Sequence, residues 1–233
     1  MKKYKAVIWK EIKECLRVAK VYIFLTAVFA ILLQIFSVKS IAGDVRLASS
    51  DQGLLISFSL IFLPLLCIPF LGNIILTRTL YEERKENATQ VLLATGIDPK
   101  ILWFGKMTVV FIFSYSGFLL SALLYYLVYL IIFDFPIAIN AEIFLTGFIV
   151  APFFSFGFLS ILGFLFWALK NPQWPGIILP IAFVFGAWNI GSLWGQVVPD
   201  SLFVLGAFII GVLLFLLSGL AVNFLTKEKI TDC

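Results

Sequence analysis

The chain has 233 residues, of which 62% are hydrophobic and 13% are charged, and it contains 26 phenylalanines and no histidine. This composition excludes an ordinary soluble domain, because such domains are roughly half apolar and about one quarter charged. The net charge of +4 does not call for nucleic acid as a partner, since Lys and Arg accumulate at the cytoplasmic face of membrane proteins, where they contact anionic lipid heads. The composition therefore indicates an integral membrane protein.

Several apolar runs are long enough to be membrane spans, because a helical span needs about 20 mostly apolar residues. They cover residues 21–38, 53–76, 107–133, 141–169, 176–196 and 202–225. The runs are continuously apolar and do not alternate, which favours helices over an outer-membrane barrel. We expect an all-α protein with a six-span transmembrane domain at 21–225 and a short cytoplasmic tail at 226–233.

The segment 1–20, MKKYKAVIWKEIKECLRVAK, carries an apolar stripe at helical spacing. One helical face holds Tyr4, Val7, Ile8, Ile12, Cys15, Leu16 and Ala19, and the other holds Lys3, Lys10, Lys13, Glu14 and Arg17. This pattern predicts a cytoplasmic amphipathic helix whose apolar side lies in the lipid boundary. The alternative is a basic flank that only sets the topology.

The positive charges predict the orientation of the chain. The loops on the side of the N-terminus carry nearly all Lys and Arg, Lys106 among them, whereas the opposite side carries Lys39 and Arg46. Because Lys and Arg concentrate on the cytoplasmic side, both termini are expected in the cytoplasm, with the chain in the cell (inner) membrane.

Small residues four positions apart predict close contacts between helices. Such pairs are Gly117/Ser121, Ala207/Gly211 and Gly191/Gly195. Small side chains at this spacing allow two helix backbones to approach each other.

The residue types give no basis for catalysis by this chain. Without histidine it lacks the commonest metal ligand and general base, and it has no GxxxxGK phosphate-binding loop. Every Asp and Glu falls in a predicted loop, in a terminus or at the edge of a span. Ion-coupled carriers use ionisable groups inside the bilayer, so uphill transport by this chain would need energy from another polypeptide.

A dense block of charge separates two apolar runs at Tyr81–Lys100, YEERKENATQVLLATGIDPK. We expect the second helix to continue to about residue 86 and a short helix to follow at 88–94. Gly96 and Pro99 would then turn the chain and start the next helix. Residues 77–106 would form an elbow that presents charge and a small apolar helix to the cytosol. The alternative is a solvated loop.

The elbow resembles that of ATP-binding-cassette (ABC) exporter permeases of the ABC-2 type. After the second span, their pattern runs roughly Glu-Arg-Glu-x-Gly-Thr-Leu-Glu-x-Leu-Leu, continues with Pro two residues on and closes with Gly-Lys before the third span. The matching residues are Glu83-Arg84, Leu92-Leu93 and Gly105-Lys106, with Gln90 in place of the usual acid. The chain departs from the pattern at five positions: Lys85 replaces the second Glu, Asn87 replaces Gly, Ala88 replaces Thr, Thr89 replaces Leu and Gly96 replaces Pro.

The resemblance implies that the elbow is a coupling helix seated in a cleft of a separate cytoplasmic ABC ATPase. It further implies a second permease copy or paralogue, and export of a hydrophobic or amphipathic solute such as a peptide, a drug or a lipid-like molecule. No cofactor is expected on this chain, because ATP and Mg would be bound by the ATPase. The expected ATPase-coupling residues are Glu82, Glu83, Arg84, Gln90, Val91, Leu92, Leu93 and Gly96. Their leucines and valine would fill a groove, and their charges would set the register from its rim.

The segment 187–201, AWNIGSLWGQVVPDS, is rich in Gly and Trp and polar for a span. Irregular backbone at membrane depth survives only where protein or a water-filled cavity lines it, and the resembled family has a re-entrant pair of short helices there. The candidate exit-gate or pathway residues are Trp188, Asn189, Ser192, Trp194 and Gln196. An aromatic belt that closes an ordinary span is the alternative.

Two other functions fit the same sequence. A stand-alone membrane interaction protein, such as a self-immunity factor against a membrane-active peptide, would need no ATPase. An ion-coupled secondary carrier would move its solute without any second polypeptide, and it ranks lower because the predicted spans lack central acidic residues.

Overall fold

The computed structural model describes residues 2–44, 49–83, 86, 89, 91, 94, 96–133, 141–169, 176–183, 186 and 201–222. Nearly all of these residues are helical, which confirms the predicted all-α class. The expected cytoplasmic tail at 226–233 and the candidate gate residues between 188 and 196 lie outside the described residues.

Long helices make up the described chain. They are α1 (Lys2–Asp44), α2 (Ser49–Leu76), α3 (Pro99–Phe133), α4 (Ala141–Leu145), α5 (Ala151–Ala168), α6 (176–183) and α7 (Ser201–Ala221). A π-helical segment, π1 (Thr77–Glu82), continues α2, and a second one, π2 (Thr146–Val150), joins α4 to α5. π-helical segments are rare in proteins, and those that do occur often lie at functional sites.

Among the residues that the structure describes, three helical stretches are long and apolar enough to cross a membrane: Leu60–Leu80, Pro99–Leu127 and Thr146–Ala168. They coincide with the second, third and fourth predicted spans, and they give the chain the character of a membrane protein. The sixth predicted span overlaps a shorter apolar helix, Leu205–Ala221. The count of six spans remains a prediction.

α1 continues without a break through residue 20, where the sequence predicted a boundary between two segments. The chain has no Gly or Pro before Gly43, so no residue in this stretch interrupts the helix. Its 43 residues extend over about 65 Å at a rise of about 1.5 Å per residue. Val7 and Cys15 are buried, whereas Leu16 is exposed. The apolar stripe therefore packs on protein, and a separate helix in the lipid boundary is not confirmed.

The helices pack in a defined order. α1 and α2 both contact α3, α2 also contacts α5, and α5 contacts α7. The fully buried core includes Leu71 of α2, Trp103 and Phe118 of α3, and Phe166 of α5. The Nδ2 atom of Asn73 donates a hydrogen bond to the carbonyl oxygen of Gly176 at 2.8 Å, which ties α6 to α2.

The backbones of α5 and α7 are in contact where they cross. A Cβ atom added to Gly157 would collide with the carbonyl oxygen of Gly211, and one added to Gly211 would lie 2.7 Å from that of Phe153. Neither backbone can swing aside as a flexible side chain could, so both positions require glycine. The predicted close approach at Gly211 is confirmed, and Gly117 likewise packs closely on Leu71.

We expect Gly211→Ala to lower the free energy of unfolding by about 1–3 kcal/mol, because the added methyl group overpacks the crossing. Gly206→Ala in the same helix is the matched control, since its Cβ would meet nothing within 4 Å. Alanine there should stabilise the helix by roughly 0.5–1 kcal/mol. Thermal unfolding in mild detergent measures both effects, and equal midpoints for the two variants would contradict the backbone contact.

Candidate functional site

The described parts of the elbow follow the predicted course. The second helix continues through π1 to Glu83, and the residues at 89, 91 and 94 are helical. Gly96 has a φ of +74°, a left-handed conformation that favours glycine and that ends helices. The predicted short helix and the glycine turn after it are thus confirmed at these positions.

The start of α3 is fixed by a cap. Asp98 is not helical, Pro99 is the first residue of the helix, and Oδ1 of Asp98 accepts a hydrogen bond from the backbone N–H of Lys100 at 2.9 Å. An aspartate N-cap followed by proline is a favoured helix start, because the carboxylate satisfies a free N–H and proline lacks one. The elbow therefore ends in a well-defined turn into α3.

Lys106 is the centre of a buried group of charges at the base of the elbow. Its side chain is fully buried, and its ammonium donates to Glu11 Oε1 at 2.7 Å, to Glu83 Oε2 at 2.7 Å and to the carbonyl oxygen of Thr79 at 2.8 Å. An ammonium has three N–H donors, so all of them are used. Lys10, Glu11, Thr79, Glu83 and Lys106 are hereafter the Lys106 cluster.

The Lys106 cluster joins three helices. Glu11 belongs to α1, Thr79 lies in π1, Glu83 follows π1 directly, and Lys106 belongs to α3. The Thr79 hydroxyl donates to the carbonyl oxygen of Ile75 at 2.9 Å, while its own carbonyl accepts from Lys106. The π-helical segment therefore supplies a backbone acceptor at the point where the ammonium needs one.

Gly105 allows α1 to approach α3 beside the cluster. A Cβ atom at Gly105 would lie 2.7 Å from Cγ1 of Val7, so a larger residue would push the two helices apart. Nearby, the hydroxyl groups of Tyr4 and Thr108 form a hydrogen bond of 2.8 Å between the same two helices. In the Gly-Lys pair of the motif, the glycine thus permits close packing and the lysine supplies the charge.

Lys10 covers the more exposed side of the cluster. Its Nζ atom lies 3.4 Å from Glu83 Oε1, 3.5 Å from Glu14 Oε2 and 3.8 Å from Glu11 Oε1. Partial burial lowers the pKa of Lys10, but the carboxylates of Glu83, Glu11 and Glu14 outweigh it, so the pKa lies above its ordinary value. Lys10 therefore stays charged, shares Glu11 and Glu83 with Lys106, and adds a contact with Glu14.

The environment of Glu11 disfavours the charged form of its side chain. Burial raises its pKa, the ammonium of Lys106 opposes this effect, and the carboxylate of Glu83 adds to it, with a net rise. Its Oε2 atom is buried and has no hydrogen-bond partner among the described residues. The buried carboxylate therefore depends on Lys106 for its charge.

The carboxylates of Glu11, Glu14 and Glu83 come within 4.8 Å of one another, a spacing that metal ions use. Two ammonium groups, those of Lys10 and Lys106, already lie against these carboxylates. Since the lysines supply the countercharge that a metal would bring, we assign no metal site here.

The predicted coupling residues that the structure describes do not all face outward. Glu82, Val91 and Gly96 are exposed, as an interface with a partner requires. Glu83 was expected at the rim of the ATPase groove, but its carboxylate points inward to Lys106. The remaining coupling residues, Arg84, Gln90, Leu92 and Leu93, lie outside the described residues, as do the gate residues Trp188, Asn189, Ser192, Trp194 and Gln196.

Sequence reasoning missed the roles of Lys106 and Glu11. Lys106 was counted only among the charges of the cytoplasmic side, without a partner, and the structure shows that its side chain is fully buried. A signal for both existed: Glu11 lies on the apolar stripe of α1, four residues from both Val7 and Cys15, and Lys106 directly precedes an apolar run. Two opposite charges on apolar helix faces predict a buried ion pair.

Comparison with protein-family models, with curated proteins and with solved structures finds no match to this chain. The resemblance to ABC-2 permeases is therefore carried by the elbow residues. Glu83 and Lys106, which lie at the two ends of the compared sequence pattern, form an ion pair of 2.7 Å.

We expect Lys106→Met to lower the free energy of unfolding by about 3–5 kcal/mol, because it leaves buried carboxylates without their countercharge. Lys100→Met is the matched control, since Lys100 lies on the same helix and is exposed; its effect should stay within about 0.5 kcal/mol. Thermal unfolding in mild detergent distinguishes the two, and a Lys106→Met variant as stable as the control would show that the cluster does not hold the helices together.

The raised pKa of Glu11 predicts a pH-dependent stability. Because the pKa of Glu11 is higher in the folded protein than in the unfolded chain, the contribution of this titration to stability is present below the ordinary pKa of 4.5 and is lost as the pH rises through the raised value. Glu11→Gln removes this titration. The free energy of unfolding of the variant minus that of wild type should therefore increase as the pH rises from acidic to neutral. Unfolding midpoints of both proteins across that range measure the difference, and a change in the opposite direction would contradict the assignment.

Proposed function

We propose that this chain is the membrane-spanning permease subunit of an ATP-driven ABC exporter of the ABC-2 type. It would lie in the cell membrane with six spans and both termini in the cytoplasm, paired with a second permease copy or paralogue. A separate cytoplasmic ATPase would bind ATP and Mg and supply the energy. The solute would be hydrophobic or amphipathic and would leave the cytoplasm.

The observation that carries the proposal is the shared ammonium of Lys106. Glu83 stands at the base of the elbow, and the same Nζ atom that holds Glu83 also holds Glu11 of α1. A displacement of the elbow would therefore act on α1 and α3 together, without a flexible link between them. A contiguous network of charged contacts is a physical route by which movement at one site reaches another.

The outer side of the elbow supports a docking role. Thr89 is buried, whereas the side chain of Val91 is 65% exposed, so the short helix has one side against the protein and one side outward. An exposed apolar side chain next to charged residues is the pattern of a contact that a partner completes. Glu82 and Glu86, both exposed, lie in the charged arm that precedes this helix.

The composition of the chain supports an apolar solute. The chain contains 26 phenylalanines and no histidine, and its predicted spans lack central acidic residues. Ions and protons are usually handled by ionisable groups inside the bilayer, so this composition favours a hydrophobic peptide, a drug or a lipid-like molecule over an inorganic ion.

The test is co-purification of the tagged chain from its native host in mild detergent, with mass spectrometry of the proteins that come with it. We expect wild type to bring down an ATPase that has a phosphate-binding loop, and Val91→Asp to lose it, because a charge would enter an apolar groove. Val91→Ile, which keeps the apolar surface, should retain it. Lys100→Asp introduces the same charge on the exposed start of α3 and should also retain it.

The outcomes separate the alternatives. If no ATPase accompanies wild type under conditions that keep known transporter complexes intact, the exporter proposal fails, and a stand-alone interaction or self-immunity protein is the better explanation. Solute uptake by the purified chain alone, driven by an ion gradient, would instead establish a secondary carrier.

A further inference from the structure

A cavity of about 280 Å³ opens between α1 and the end of α2. Its polar lining comes from Tyr22 of α1 and from Asn73, Thr77, Arg78 and Glu82 of α2 and π1. The Lys106 cluster contributes no residue to it. Of the expected coupling residues, Glu82 also lines this cavity, and ligand binding here goes beyond the export function proposed above.

The cavity holds two opposite charges that do not neutralise each other. Arg78 and Glu82 are both exposed and both line it. Although they are four residues apart, neither forms an ion pair with the other or with any further residue that the structure describes. A ligand that carries both a negative and a positive group would therefore satisfy both side chains at once.

The position of the cavity fits a lipid headgroup. Arg78 lies two residues before Leu80, the end of the candidate span Leu60–Leu80, which is the level at which an apolar helix leaves the hydrocarbon region. Tyr22 faces the same cavity, and tyrosine is enriched at the depth of the headgroups.

An exposed apolar stripe runs along α1 from beside the cavity. Val21, Leu25, Val28 and Leu32, spaced by three or four residues, are 62%, 55%, 36% and 49% exposed. On a helix this spacing forms one continuous surface. It begins next to Tyr22 and leads away from the elbow, so acyl chains could lie along it while the headgroup occupies the cavity.

We propose that the cavity binds a zwitterionic phospholipid with a primary ammonium, of the phosphatidylethanolamine class. The phosphate would accept hydrogen bonds from the guanidinium of Arg78, which suits phosphate oxygens. The ammonium would donate to the carboxylate of Glu82. A choline headgroup has no N–H donor for Glu82. A phosphatidylglycerol headgroup carries no cation, so only a neutral hydroxyl group would reach Glu82 and the negative charge of the phosphate would stay uncompensated beside it.

The experiment measures lipid binding to the purified full chain in detergent by native mass spectrometry. Phosphatidylethanolamine, phosphatidylcholine and phosphatidylglycerol with identical acyl chains are titrated separately. We expect wild type to bind the ethanolamine lipid roughly tenfold more tightly than either of the others, in line with one charge-assisted hydrogen bond. Soluble glycerophosphoethanolamine should compete, because the selectivity resides in the headgroup.

Two variants test which part of the headgroup each charged side chain binds, and two more serve as controls. Arg78→Gln should weaken binding of all three phospholipids, whereas Glu82→Gln should abolish the preference for ethanolamine and leave phosphatidylglycerol bound as well or better. Lys100→Gln and Glu86→Gln change exposed charges of the same signs that do not line the cavity, and they should leave the affinities unchanged. All four positions are exposed, so folding should be kept, and unfolding midpoints check this.

Three results would overturn the proposal. They are equal affinity of wild type for the ethanolamine and choline lipids, tighter binding of phosphatidylglycerol than of either, and an ethanolamine preference that survives Glu82→Gln. The second result would indicate a site for anionic lipid at Arg78 alone.

Discussion

The buried ammonium of Lys106 is the constraint on which the rest of this structure depends. A charged group removed from water is stable only when opposite charge and hydrogen-bond acceptors replace the water. Lys106, on α3, finds them on two other segments, at Glu11 of α1 and at Thr79 and Glu83 at the end of α2. α1, the end of α2 and α3 must therefore meet at one point. Gly105 lets α1 come close enough, and the π-helical segment π1 provides the backbone acceptor.

This arrangement gives the elbow a firm base. The inward direction of Glu83 removes it from any partner surface, but it makes the elbow continuous with the helices behind it. In the proposed exporter, the outer part of the elbow would receive the movement of the ATPase, and the Lys106 cluster would distribute it to α1 and α3. The cavity between α1 and the end of α2 lies beside this joint, so a bound phospholipid would sit between two of the helices that the joint connects.

Local patterns in the sequence predicted much of the fold. Continuous apolar runs predicted the helices, the glycine and proline around residue 98 predicted the turn into α3, and a small-residue pair predicted the close approach at Gly211. The Lys106 cluster was not predicted, because Glu11 and Lys106 are 95 positions apart and a count of charges by side treats each lysine as solvated. The continuity of α1 was also missed, since a change from charged to apolar residues at residue 20 does not end a helix. Neither π-helical segment leaves a pattern in the local sequence.

A double-mutant cycle between Glu11 and Lys106 tests the central claim most directly. The free energy of unfolding would be measured in mixed detergent for wild type, Glu11→Gln, Lys106→Met and the double variant. If the two residues form a buried pair that joins α1 to α3, the double variant should be more stable than the sum of the single effects predicts, by about 1–3 kcal/mol. Effects that add within about 0.5 kcal/mol would show that Glu11 and Lys106 act independently, and the account of a shared joint would be wrong.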